Sequence, residues 1–309
     1  MRVAAIGECM VELREEHDGR FARGFGGDTL NTAIYLARLG VAVDYVTALG
    51  DDPWSREMER AWAAEGVGTG LVAHCTGAMP GLYVIQTDAG GERRFLYWRD
   101  SAAARRLFAL PETPAILEAL KTCRLIYLSG ISLSLYGAAG RAVLFEGLAA
   151  ARAAGATIAF DTNFRPRGWP VLPEAEAAYA AAFAVADLVF ASVEDLDLLY
   201  GAGAGQARLA EATRGAEVVL KLPDLSCVLR LADGPQIRVP TAPVPIVVDT
   251  TAAGDSFAAG YIAARLAGAG AEDAARAGHR LAGLVVLYPG AIIPRAAMSA
   301  IAPAGHAGQ

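Results

Sequence analysis

The stretch DTTAAGDSFAAG, running from Asp249 to Gly260, places two carboxylates and several small residues directly ahead of the apolar run YIAARLAG. A helix start needs one capping Asp, Ser or Thr, so the second aspartate, Asp255, exceeds what capping requires. Ala252, Ala253 and Gly254 are small enough for successive backbone N–H groups to converge, and the helix start adds a field that favours anions. Such a nest suits a phosphate, or the charge that develops on a phosphoryl group in transfer. Asp255 then has two readings. It is a stabilising first-turn charge, or it is a general base that takes a hydroxyl proton as the oxygen attacks phosphorus. The helix field favours the ionised carboxylate, the form a base requires.

A second glycine-rich segment, Gly26-Gly27, leads into Asp28, Thr29 and Asn31. It reads either as a turn with an Asp or Thr cap, or as bare backbone against which a polar ligand rests while Asp28 and Asn31 bind its hydroxyls. An acidic Asp28 suits a sugar-like polyol better than a phosphate. Arg99 ends the strand-like FLYWR. It is a solvated strand terminus, or a guanidinium able to grip a carboxylate through two hydrogen bonds. Neither a dinucleotide fingerprint nor a Gly-x-x-x-x-Gly-Lys-Ser/Thr loop is present.

The elements that must carry these residues alternate. RVAAIG, VDYVTALG, CRLIYLSG, TIAFDTN, ADLVFAS and AEVVLKL read as buried strands, and DTLNTAIYLARLG, PWSREMERAWAAEG, GRAVLFEGLAAARAAG and the segment from Gly254 read as helices. That rhythm predicts a mostly parallel sheet covered on both faces. Two excursions depart from it, at about 9–24 and 72–100. The second, GLYVIQTDAGGERRFLYWR, reads as a hairpin with a glycine-containing turn. Neither has enough apolar residues for a core of its own, so residues 1–309 are read as one α/β domain with a β lid. In FLYWR, Phe95 and Tyr97 face one side and Leu96 and Trp98 the other, so one apolar face of the lid needs a cover.

Hydrophobic residues make up 54% of the chain and charged residues 19%, which excludes an intrinsically disordered protein. The net charge of −6 has no basic stripe within it, which argues against nucleic-acid binding. No apolar run approaches a membrane span, and MRVAAIGECMVELRE lacks a basic region followed by a long apolar one, so no leader pattern is expected there. Cys9, Cys75, Cys123 and Cys227 are widely spaced in apolar surroundings, and read as buried free thiols of a reducing cytoplasm rather than as disulfides or metal ligands. The four histidines lie apart, which disfavours structural zinc. Only Lys121 and Lys221 are lysines, which draws attention to Lys221.

The signature DTTAAGDSFAAG and the segment GGDTLNTAIYLARLG resemble the ribokinase-like, or PfkB, carbohydrate kinase family, and the resemblance runs from AIGECMVEL to YPGAIIPR. It implies a ribokinase-like three-layer sandwich, with a central mostly parallel sheet and a small β-sheet lid. YWR and NFRPRGW resemble the branch acting on a 2-keto-3-deoxy sugar acid. The implied activity is ATP-dependent phosphorylation of the O6 hydroxyl of 2-dehydro-3-deoxy-D-gluconate, with Mg²⁺; a fructokinase-like or other sugar kinase is the alternative. By the same resemblance Asp255 is the base, and Ala252, Ala253 and Gly254 form the anion hole. Gly26, Gly27, Asp28, Thr29 and Leu30 line the sugar pocket, with Tyr83, Tyr97 and Arg99 approaching from the hairpin. Arg165 lies between sugar acid and nucleotide. Asn163, Lys221 and Ser226 face ATP, Asp249 and Thr251 match residues that hold a monovalent cation such as K⁺, and Asp195 matches a residue that contacts magnesium through water. Relatives also dimerise through their lids, which implies a homo-oligomer here.

Three segments depart from the family pattern. The nucleotide loop reads KLPDLSC, with Pro223 and Ser226 where glycines are usual, and proline removes a backbone donor. SVED puts Ser192 and Asp195 in place of the usual Asn and Glu. Ala252 replaces a glycine of the signature, which retains the backbone donor. A catalytically silent sugar-acid sensor is the reading from another class, and the intact Asp255 argues against it.

Overall fold

In the computed structural model, described for residues 2–16, 18–87, 93–231 and 234–301, the chain forms two sheets. The strands, in chain order, are β1 (Arg2–Ile6), β2 (Met10–Glu15), β3 (Phe21–Gly26), β4 (Ala42–Leu49), β5 (Gly68–His74), β6 (Leu82–Thr87), β7 (Arg93–Trp98) and β8 (Leu125–Ser129). They continue with β9 (Thr157–Asp161), β10 (Leu188–Ser192), β11 (Glu217–Lys221), β12 (Cys227–Arg230) and β13 (Ile237–Val239). Among the described residues the large sheet has nine strands in the order β13-β12-β11-β10-β9-β8-β1-β4-β5. From β11 to β5 every pair is parallel, and β12 and β13 add antiparallel at one edge.

Continuous apolar runs form these central strands because both faces are buried. In β1, Val3 and Ala5 enter one core while Ala4 and Ile6 enter the other. The first core takes helices Asp28–Arg38, Pro53–Ala64, Ala253–Leu266 and Ala271–Val285. The second takes helices Thr113–Leu120, Ala138–Ala153 and Leu172–Val185. The resulting helix–sheet–helix layering is the three-layer arrangement expected. All four cysteines are buried free thiols.

Helix Ala253–Leu266 is clamped hard. Phe190 of β10 meets Tyr261 edge-on at 5.4 Å, and burying one such ring is worth roughly 1.5–3 kcal/mol. On the other side, a Cβ on Gly278 would stand 2.8 Å from the Phe257 carbonyl oxygen, so this helix pair approaches too closely for any larger residue.

The lid is a four-stranded sheet in the order β3-β2-β6-β7. Only β2 and β6 pair in parallel; the two hairpins within it are antiparallel. The glycine-containing turn of the second hairpin lies outside the described residues. Residues 72–74, expected at the start of the second excursion, belong instead to β5 at the edge of the large sheet. The first excursion extends through Gly26. Two glycines in GTGLVAH weaken the strand pattern, and partner strand β4 supplies what the sequence lacks.

Candidate active site

The carboxyl ends of the parallel strands open into a cleft of about 2140 Å³. Glu8 follows β1, Asn163 follows β9, Asp195 lies just beyond β10, and Lys221 ends β11; all four line it. This is where open α/β sheets place ligands, outside the strand ends where the chain order reverses, here between β1 and β8. Tyr83, Phe95, Tyr97 and Arg99 close it from the lid side. The volume exceeds the ~300–1,000 Å³ of a pocket for one small molecule, so two ligands fit side by side.

Asp255 stands at the cleft in the first turn of helix Ala253–Leu266. One carboxylate oxygen accepts from the Asn31 side-chain amide at 2.9 Å, and the Thr32 hydroxyl donates to the Asp255 carbonyl at 3.2 Å. Asn31 and Thr32 belong to helix Asp28–Arg38, so two helix starts meet at this carboxylate. Burial first, and the neighbouring Asp28 next, push the Asp255 carboxyl up to about 8. The expectation that the helix field keeps it ionised is therefore reversed: desolvation outweighs a dipole effect of about 1 kcal/mol.

Ala252 adopts φ 61°, ψ 15°, a left-handed conformation next to helical Ala253, the alternation of backbone hand that makes a concave N–H nest. An alanine there retains the donor but carries backbone strain of roughly 1–2 kcal/mol that glycine avoids. The anion hole differs from expectation in one donor. Ala253 N–H is engaged, donating to the Thr250 carbonyl at 3.1 Å. The N–H groups of Ala252, Gly254 and Asp255 have no acceptor among the described residues. Lys221 flanks them: its ammonium is 3.5 Å from where a Gly254 side chain would begin.

Lys221 bridges to both oxygens of buried Asp161, at 3.4 and 3.3 Å. Burial disfavours its charge, but Asp161, Asp195 and Asp255 outweigh that, and its pKa ends raised. It is a charged ammonium next to the anion nest. Asn163, at φ 28°, donates from its side chain to Asp28 at 2.7 Å, joining the nucleotide-side and sugar-side expectations in one contact. Arg165, largely exposed, reaches Asp195 at 3.3 Å. Asp195 also accepts from the Thr162 hydroxyl at 2.7 Å, and Ser192, the departure from the family pattern, caps the following helix by accepting from Asp195 N–H.

On the lid side, Tyr83, Phe95 and Tyr97 form one aromatic face, with Tyr83 and Tyr97 rings 5.9 Å apart. The Tyr83 hydroxyl donates to Glu12. Arg99 forms an ion pair with Glu8, whose side chain is 1% exposed. Trp98 is 60% exposed and, with Leu96, lines the cleft. Gly26 and Gly27 line the cleft, but the space a side chain would need is already taken by protein. A Cβ on Gly26 would lie 2.2 Å from the Tyr83 hydroxyl, and one on Gly27 2.2 Å from the Glu8 carbonyl oxygen.

Several expected positions fall elsewhere. The Thr29 and Leu30 side chains point into the core, Thr29 pairing with the Tyr45 hydroxyl at 3.1 Å, because the helix turns them away from the cleft. Ser226 sits in the tight β11–β12 connection, its hydroxyl donating to Asp224 at 2.6 Å, and lines no part of the cleft. Asp249 accepts from Thr251 N–H and hydroxyl and from Gly290 N–H, which braces the anion loop. Among the described residues no group of three or more His, Cys, Asp or Glu is arranged to hold a metal. Asn31 acts on Asp255, where the sequence pointed to a ligand hydroxyl, and neither Glu8 nor Asp161 carried any signal beyond its acidity.

Residues 1–298 match the family described as pfkB family carbohydrate kinase. The chain is 45% identical to the 2-dehydro-3-deoxygluconokinase of Dickeya dadantii, covering 96% of this chain and 98% of that one. It is 44% identical to the protein of the same name from Escherichia coli, covering 97% and 99%. A solved fructokinase from Xylella fastidiosa with bound ATP superposes with a TM-score of 0.79 at 26% identity, covering 96% and 94%.

Proposed function

The chain belongs to the pfkB family of carbohydrate kinases, and from that premise we infer that it transfers the γ-phosphoryl group of ATP to O6 of 2-dehydro-3-deoxy-D-gluconate. The product is 2-dehydro-3-deoxy-6-phospho-D-gluconate, with ADP leaving. The observation that carries the mechanism is Asp255, buried at the cleft beside N–H groups without acceptors. In the reaction Asp255 accepts the O6 proton as O6 bonds to phosphorus and the bond to the β,γ-bridging oxygen breaks. The N–H groups of Ala252 and Gly254, with the Lys221 ammonium, meet the charge on the phosphoryl oxygens. Asn31 orients the base through its amide.

The sugar acid rests against Gly26, Gly27 and Asp28, with its carboxylate toward the lid arginine, and the nucleotide phosphates lie between Asn163, Arg165 and Lys221. Mg²⁺ arriving with ATP would supply charge neutralisation across the phosphates, and Asp195 is the residue that would hold it. Four unbridged thiols suit a reducing cytoplasm, and no described helix is long and apolar enough to cross a membrane. The test is to follow ADP release with Mg-ATP and a panel of sugar acids and neutral hexoses. Turnover of the 2-keto-3-deoxy acid well above every hexose is expected; fructose as the better substrate would overturn the reading.

We also propose that the lid pairs with a second copy of the chain about a two-fold axis. Its edge strands β3 and β7 carry Phe21, 51% exposed, and Trp98, 60% exposed. Sedimentation equilibrium should find a dimer or a multiple of it for the wild type and weaker association for Trp98→Glu. A monomer at micromolar concentration, or an unchanged mutant, would remove the proposal.

A further inference from the structure

We propose that Arg105 is a second reader of the substrate carboxylate, supplying the positive charge that Arg99 alone does not. The inference rests on the sugar-acid reading above.

Three of the cations along the cleft already have carboxylate partners: Arg99 has Glu8, Arg165 has Asp195, and Lys221 has Asp161. Arg167 is exposed and donates to the Phe95 carbonyl, and Arg94 is exposed on the lid strand. Arg105 is different. It is half-buried, lines the same cleft, and makes no side-chain hydrogen bond or ion pair with any described residue. A half-buried guanidinium without a partner forgoes hydration and gains nothing in return, unless a ligand completes it.

Its position fits the acid end of the substrate. Arg105 is near enough to Glu8 that its charge helps to hold down the Glu8 carboxyl, which burial otherwise raises. The charge of both guanidiniums thus reaches Glu8, and one of its oxygens and the Arg99 Nε are buried with no partner among the described residues. Arg99 is paired with Glu8, which leaves the charge of Arg105 without a carboxylate partner among the described residues. One substrate carboxylate balances that charge; a neutral hexose does not. The two arginines also differ in what carries them. Arg99 follows the lid strand β7, while Arg105 stands on the 3-10 turn Ala103–Ala109, anchored in the core by Ala103, Leu107 and Phe108. The pair thus joins a lid contact to a fixed one, and a bound carboxylate bridges them.

The experiment compares the sugar acid with its C1 amide, measuring kcat and KM for each with saturating Mg-ATP. The wild type should prefer the acid. Arg105→Gln should reduce that preference about 10–100-fold, the range for one hydrogen bond to a charged partner. The change should fall on KM for the acid, leaving KM for ATP and kcat on the amide close to the wild-type values. Arg105→Lys, which retains the charge and the aliphatic stem, guards against a Gln variant that does not fold, and should retain part of the preference. Full wild-type preference in the folded variants overturns the role of Arg105 while the substrate reading stands. A wild type that does not distinguish acid from amide overturns the substrate reading itself, and with it this proposal.

Discussion

Asp255→Asn should yield a folded protein that still binds ATP and the sugar acid but turns over about 10²–10⁴-fold more slowly, the usual contribution of a general base. Folding should survive because the wild-type side chain is costly where it stands. Its folded pKa of about 8 lies above the ordinary 3.8, so the folded state holds a proton that the unfolded chain has released between those values. Stability from this group is present below about pH 4 and is lost as pH rises through about 8; the Asn variant lacks that slope and should be the more stable protein at alkaline pH. For the wild type, kcat/KM should rise with pH along a limb far above the usual carboxylate range, since that ratio reports the free enzyme. The charge of Asp28 contributes to that rise, so Asp28→Asn should move the limb to lower pH. A variant with more than about a third of the wild-type turnover, with chemistry rate-limiting, would refute the base assignment, because the expected loss starts near 10²-fold. A limb near pH 4 would instead refute the burial argument.

Arg99→Ala should raise KM for the sugar acid by about 100-fold or more while leaving KM for ATP nearly unchanged. One lost charged hydrogen bond accounts for roughly 10–150-fold. Glu8 adds to that. Its side chain is buried against Arg99, so truncation leaves a carboxylate that repels the substrate acid. Breaking a buried ion pair from one side typically costs roughly 3–5 kcal/mol, unless the orphaned carboxyl takes up a proton. Burial already raises Glu8, and without Arg99 it rises further. A raised folded pKa makes the variant progressively less stable as pH increases from the unfolded carboxyl value toward the folded one. The double variant Glu8→Gln with Arg99→Ala should recover stability and part of the acid affinity. If neutral and acidic ligands lose affinity equally in Arg99→Ala, the residue merely supports the lid.

The order of layers, the position of the lid and the helix start that follows the small residues were legible in the sequence because each depends on near neighbours. Apolar runs that end in glycine, helices with an apolar face, and small residues before a helix are local patterns, and the structure places β1, β4, β8, β9, β10 and β11 where those patterns lie. Short strands carrying glycine or lying at a sheet edge, such as β5, β12 and β13, needed partner strands to declare themselves. The state of the site was not legible at all. Asn31 orients Asp255 from 224 residues away, and Glu8 neutralises Arg99 across 91. The family resemblance puts Thr29 and Leu30 in the sugar pocket, yet the helix turns their side chains into the core. Burial and charge are sums over everything that surrounds a group, so whether Asp255 keeps its proton, and whether an arginine is free for substrate, were decided only when distant segments met at the cleft.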